Sequence, residues 1–124
     1  MVFKRDLEKA ELKTIYQQIL LMNELDHPNI IKLYEYFEDA RFIYLIFDYM
    51  KDGSLSEILQ KKRQLSETQA ADFLKNILEG INYLHNQDII HKNMTPENIQ
   101  VSGNSVKLVG FDLAVKENIE IDVL

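Results

Sequence analysis

The order of patterns along this chain predicts an α+β fold, and two observations carry the prediction. Apolar residues recur at helical spacing near the start and again in the middle of the chain. Between and after those stretches lie short runs rich in β-branched and aromatic residues, broken by polar turn-formers. With 124 residues, 46% hydrophobic and 27% charged, the chain has the size and balance of one folded domain rather than of a disordered segment.

The elements follow in order. Over about residues 6–25, Leu12, Ile15, Ile19, Met22 and Leu25 fall at helical spacing, with Asp6 placed to cap the first turn. Asp26, His27, Pro28 and Asn29 end that helix, because the residue before a proline is pushed out of helical geometry. Residues 30–37 and 42–48 then read as two strands of an antiparallel hairpin, turned at Glu38, Asp39, Ala40 and Arg41. After Lys51, Asp52 and Gly53 a short helix is expected over 54–62, and a longer one starts at Ser66, where Gln69 completes a capping-box pattern. Ala70, Leu74, Ile77, Leu78, Ile81 and Leu84 give that longer helix one apolar face, which marks it as a core helix. Short apolar pieces close the pattern at Ile89-Ile90, 99–101 and 106–109, the last two joined by a Gly103-Asn104 turn.

Charge and composition exclude several functions. The net charge is -6, and the basic residues are scattered, Lys4 and Arg5 in one place and Lys61 to Arg63 in another, so no footprint for nucleic acid appears. With no cysteine there is neither a disulfide nor a thiolate metal site. No apolar run approaches the roughly 20 residues needed to cross a bilayer, and no signal peptide opens the chain, so a cytoplasmic protein is expected.

One family pattern runs through these elements. His91-Lys92-Asn93-Met94-Thr95-Pro96-Glu97-Asn98 resembles the protein-kinase catalytic loop H-R-D-L-K-P-E-N, and Val109-Gly110-Phe111-Asp112-Leu113-Ala114 follows where kinases have D-F-G. Leu25-Asp26-His27-Pro28-Asn29-Ile30-Ile31 resembles the turn between the C helix and the fourth strand. Tyr44-Leu45-Ile46-Phe47-Asp48-Tyr49-Met50-Lys51-Asp52-Gly53-Ser54-Leu55 resembles the fifth strand and hinge. Four ordered matches identify the chain as similar to a eukaryotic serine/threonine protein kinase domain, with a flavour of the calcium- and calmodulin-dependent kind. The resemblance implies a partial kinase-like fold: residues 1–48 a remnant of the small lobe, 49–53 the hinge, and 54–124 the start of the large lobe.

Phosphoryl transfer needs a glycine loop over the phosphates, a Lys held by a carboxylate, metal ions and an Asp beside the attacking hydroxyl. The first glycine here is Gly53, already past the hinge, so the glycine loop is expected to be missing. Lys4 in Val2-Phe3-Lys4 vaguely resembles the lysine of V-A-I-K, or is a solvated basic residue. The resemblance places Gln18 at the C-helix Glu position, so the ion pair with that lysine cannot form. It makes Asn93 the counterpart of the catalytic Asp, and an amide cannot accept the substrate proton; a general base typically contributes about 10²–10⁴-fold. Thr95 stands at the loop Lys position, Lys92 at the Arg position and Gly110 at the metal-binding Asp position. Asp112 lies two residues on, a displacement of roughly 6–7 Å in extended chain. Asn98 matches the second metal ligand and is equally a turn-stabilising Asn.

The hinge residues Asp48 and Met50 would meet a nucleotide base, with Gln100 beneath it and Phe47 narrowing the back. Met22, Leu33, His91 and Phe111 match the four residues that kinases stack between lobes, which gives His91 a packing role rather than a catalytic one. The scaffold is retained while the chemistry is dismantled. The expectation is a degenerate kinase-like binding or scaffolding module without a cofactor; ATP and magnesium enter only if residual binding survives. The alternatives are a weak kinase completed by missing segments and a fragment without function. Apolar surface on the helix from Ser66 to His85 is expected to meet a protein partner or a second copy, and neither nucleic acid nor membrane is expected as a partner.

Overall fold

The helical spacing near the start becomes α1 (Lys9–Asn23), whose Ile19 and Met22, with Leu25 just beyond, turn into the core. A computed structural model describes residues 2–3, 9–62, 64–111 and 114–116; Lys4, Asp6 and Asp112 lie outside them. The last turn of α1 tightens, Glu24 N–H donating to the Leu21 carbonyl at 3.2 Å and Leu25 N–H to Met22 at 3.1 Å, before Pro28 makes further helix impossible. In the turn that follows, Asp26 N–H donates to the Tyr83 hydroxyl at 2.9 Å and Asn29 N–H to His27 Nδ1 at 3.0 Å.

The hairpin begins later than its β-rich composition predicts. Ile30 and Ile31 are buried in succession, so the period-two alternation of a half-buried strand starts only after them. Instead of pairing within the hairpin, Ile30 bridges Leu108 in parallel, and the Ile31 N–H donates to the Leu108 carbonyl at 3.0 Å. The paired strands are β2 (Leu33–Glu38) and β3 (Phe42–Phe47), antiparallel with Tyr36 opposite Leu45. At their turn Asp39 accepts the N–H groups of Arg41 and Phe42, both at 2.7 Å, and the Tyr44 hydroxyl at 3.1 Å. A short strand, β1 (Val2–Phe3), adds to the other edge of β3 in the order β1-β3-β2, with Val2 opposite Ile43 and Phe3 opposite Phe42. That register sets β1 against the turn end of β3, away from the hinge.

Two capped helices follow. Ser54 opens α2 (Leu55–Lys62) by accepting the Glu57 N–H at 3.2 Å, and Ser66 opens α3 (Glu67–Asn86) by accepting the Gln69 N–H at 3.1 Å. The core face of α3 differs from the expected one: Phe73, Gly80 and Leu84 are buried, while Ala70, Leu74 and Leu78 are exposed. The buried set is rotated around the helix because α3 packs on β6 (Ser105–Leu108) through Gly80, where an added Cβ would lie 3.0 Å from Leu108 Cδ1 and 3.1 Å from the Asn29 carbonyl. Beyond α3 come β4 (Ile89–Ile90), one 3-10 turn (Pro96–Asn98), and β5 (Ile99–Ser102). β5 pairs with β6 through a two-residue turn whose first residue, Gly103, has φ +64°, and β7 (Val115–Lys116) pairs with β4. The result is the α+β arrangement expected of a partial kinase-like fold.

Asn29 ties these parts together. Its buried carboxamide donates to Asn76 Oδ1 on α3 at 2.7 Å and to the Val106 carbonyl on β6 at 3.0 Å. Asn29→Ala removes both bonds and leaves buried acceptors without their donor, so it should lower stability by about 1–3 kcal/mol in urea unfolding.

Candidate functional site

The site is built where β3 runs out into the hinge. Asp48, the first residue after β3, has a side chain only 13% exposed and accepts three donors. They are Lys107 Nζ from β6 at 2.8 Å, the Tyr34 hydroxyl from β2 at 2.6 Å and the Lys32 N–H at 3.0 Å. Burial is the largest single influence on this carboxyl and pushes its pKa up. The hydrogen bonds of Lys107, Tyr34 and Lys32, with the attraction of Lys107, together outweigh burial and hold Asp48 below its ordinary value. Asp48 pushes the Tyr34 phenol up in return, first through the hydrogen bond and then through its charge.

Past the hinge the chain is fastened to the β5–β6 hairpin. Asp52 N–H donates to the Val101 carbonyl at 3.1 Å, Val101 N–H to Gly53 at 2.8 Å, and Gly103 N–H to Asp52 Oδ2 at 2.7 Å. Under the hinge lies a cleft of about 540 Å³, whose walls include Gln18, Met22, Phe47, Met50, Gln100 and Gly110. The structure thus brings the hinge pair Asp48 and Met50 together with Gln18 and Gly110 around one space. Gln100, half-buried at its floor, pairs with Lys107 across the strands, and among the described residues no buried side-chain nitrogen or oxygen lacks a partner.

The loop that resembles the catalytic loop is held by its histidine. His91 is 4% exposed; its Nε2 lies 2.6 Å from the Val109 carbonyl, and its Nδ1 accepts the Asn93 N–H at 3.1 Å. A carbonyl can only accept, so these two bonds select the Nε2–H tautomer and engage both nitrogens with backbone. The ring meets Phe111 edge-on, centroids 4.8 Å apart, and Met22, Leu33, His91 and Phe111 are all buried. Lys92, at φ +67°, is exposed.

Asn93 accepts at its carbonyl from the Thr95 N–H at 3.1 Å and from Asn98 Nδ2 at 3.0 Å. The Glu97 carboxyl is held below its ordinary value by its own N–H, then by the Thr95 hydroxyl, with Ser56 assisting against a push from burial.

The decisive geometry is at Gly110. Its φ is +74°, and a Cβ built there would overlap the Asn98 carboxamide. A side chain at this position would be strained by the backbone conformation and would have to move the Asn98 carboxamide aside. Among the described residues no group of three His, Asp or Glu side chains is placed to hold a metal ion. No helix there is long and apolar enough to cross a membrane.

Sequence reasoning missed three of these contacts. The Ser54 to Glu57 spacing is itself a capping pattern, visible in the sequence. The Asp48–Lys107 pair and the Asn98–Gly110 contact join residues distant in sequence or unremarkable in type, and no local signal marks them.

The sequence matches the protein kinase domain family over residues 1–122. This chain belongs to that family. Among curated relatives, the kinase domain is 35% identical to Aurora kinase A-A of Xenopus laevis over 93% of the chain. It is 35% identical to the serine/threonine-protein kinase SIK1 of Rattus norvegicus over 90%, and 32% identical to calcium-dependent protein kinase 4 of Plasmodium berghei over 86%. The chain spans 29%, 14% and 21% of the lengths of those three relatives. Near-equal identities to three kinds of kinase make the likeness to calcium-dependent ones a general one.

Because Asp48 is depressed in the folded state, its contribution to the stability of this kinase domain is present above the unfolded value, about pH 4, and is lost as pH falls through the folded value. Asp48→Asn should cost about 1.5–3 kcal/mol at pH 7, and the difference from the parent should shrink below about pH 4 in a pH series of urea unfolding.

Proposed function

We propose that this kinase-family domain transfers no phosphate and acts as a cytoplasmic binding or scaffolding module. The observation that carries the reading is the Asn98 carboxamide packed on Gly110 at φ +74°. Magnesium takes oxygen ligands at about 2.0–2.1 Å in near-octahedral geometry, and the residues at this position do not fit it. Gly110 brings no carboxylate, and Asn98, whose amide nitrogen donates to the Asn93 carbonyl, brings only one neutral amide oxygen. Asn93 in place of the Asp base, Gln18 in place of the helix Glu, and Thr95 in place of the loop Lys point the same way. The chain has no cysteine, which agrees with a cytoplasmic setting.

A second reading is favoured by the cleft itself. At about 540 Å³ it has the volume of a small-ligand site, so a nucleotide could be held there without being used.

Thermal unfolding with millimolar ATP, with and without magnesium, separates the two, since a ligand of the native state raises stability by mass action. The scaffold reading expects no magnesium-dependent shift and no transfer of labelled phosphate to a generic substrate protein. A shift with ATP alone supports the second reading. A magnesium-dependent shift overturns the scaffold reading, and phosphate transfer overturns both. Gly110→Asp should lower stability by about 1–3 kcal/mol, through strain and overpacking, and should create no magnesium dependence.

A further inference from the structure

Two side chains in the cleft under the hinge stand outside the hydrogen bonding of the fold. Gln100 from β5 and Gln18 from α1 both line it and both are half-buried, yet among the described residues neither carboxamide takes a hydrogen-bond partner. The walls around them are largely apolar, Ile31, Leu45, Met50 and Val109 among them. A few polar groups in an apolar hollow are the usual make-up of a small-molecule site, where the polar groups fix the orientation of what binds.

The two amides are mounted differently. Ile99 and Val101 are buried, so the alternation of β5 turns Gln100 to the opposite face, under the hinge. Its backbone is held on both sides, by the ladder to Lys107 and by a bridge to Ser54, which gives the amide a fixed base. Gln18 also borders a second hollow beside Phe111 and Lys116, so its amide has two directions to serve. The charged groups near Gln100 are already engaged: Lys107 holds Asp48 at 2.8 Å, and Asp48 accepts the Tyr34 hydroxyl and the Lys32 N–H as well. Asp48 is the one charged side chain among the described residues of these walls, so an anion finds no cation in them.

A carboxamide presents an acceptor and a donor side by side, and its complement is an edge of the same kind. We infer that Gln100 makes the cleft a site for an uncharged, largely apolar molecule that carries a carboxamide or lactam edge. The Gln100 amide pairs with that edge through one donated and one accepted hydrogen bond, while the apolar walls take the body of the molecule. The inference rests on the reading that the cleft holds a small ligand, and it asks for neither phosphate nor magnesium. For a probe of nine non-hydrogen atoms the dissociation constant is on the order of 1 mM.

Benzamide, acetophenone and benzoate have nearly one outline and differ in the edge they present, which makes them the probes. Titrated into the 124-residue chain and followed by the backbone amide signals of Met50 and Gln100 in NMR spectra, benzamide should bind in the millimolar range. Acetophenone keeps the acceptor and lacks the donor, so it should bind about three- to tenfold more weakly. Benzoate also lacks the donor and must lose the hydration of its charge, so it should bind more weakly still. Gln100→Leu should make benzamide and acetophenone bind alike, whereas Gln18→Leu should leave the preference in place. The Gln100 amide has no partner to lose, so circular dichroism should show that variant folded, and the comparison of probes on the parent chain needs no variant at all. Three probes that bind alike, or a Gln100→Leu chain that still prefers benzamide, overturn the inference and leave the cleft a ligand site. Benzamide that moves neither signal at roughly 10 mM overturns it as well. If millimolar ATP moves those signals in the same sample, the broader reading of the cleft survives that failure.

Discussion

Leu108 donates its N–H to the Asn29 carbonyl at 2.8 Å and accepts the Ile31 N–H at 3.0 Å. This two-bond clasp joins the segment between α1 and β2 to the β5–β6 hairpin, across most of the length of the chain. Leu108 is fully buried and also meets Gly80, so the clasp fixes α3 at the same point. The Asn29 side chain adds bonds to Asn76 and Val106. The cleft exists because this junction holds the hairpin sheet and the helical part at one separation, with the stacked Met22, Leu33, His91 and Phe111 filling the space between them.

The same junction holds the kinase-family scaffold independently of the polar residues that line the cleft. His91 and Phe111 are kept by packing and backbone hydrogen bonds, which do not require the neighbouring polar residues to be catalytic. Positions 93, 95 and 110 face the cleft or the loop surface, where an amide, a hydroxyl or a glycine fits without disturbing the core. Local structure engages this loop as well: the Asn93 carbonyl accepts the Thr95 N–H, and Asn98 spans from Asn93 to the surface of Gly110. The order of elements and the buried skeleton therefore read as family, while the polar positions read as departure from it.

Much of this was legible in the sequence because it is written in local signals. Helical spacing located α1 and α3, the Ser66 cap placed the start of α3, and Gly103-Asn104 marked the β5–β6 turn. What escaped was set by tertiary contact. Ile30 and Ile31 have strand composition, but burial on both faces draws them to Leu108 instead of into the hairpin. Leu74 and Leu78 carry the same hydrophobic signal as Phe73 and Leu84, and only the close approach allowed by Gly80 decides which side of α3 faces inward. At the cleft, the hold of Lys107 on Asp48 and of Asn98 on Gly110 needed the fold.

The bonds on either side of the hinge have a mechanical consequence. Asp48 is pinned from β2 and β6, and Asp52 and Gly53 are stitched to Val101 and Gly103, so the chain between the two parts is anchored at both ends. Bending is left to residues 49–51, where Tyr49 is 88% exposed and meets little resistance. So short a free segment acts as a stiff flexure rather than a swinging joint. A molecule entering the cleft would meet walls of nearly constant spacing, and selection there would follow thickness and outline more than the energy of closing around a guest.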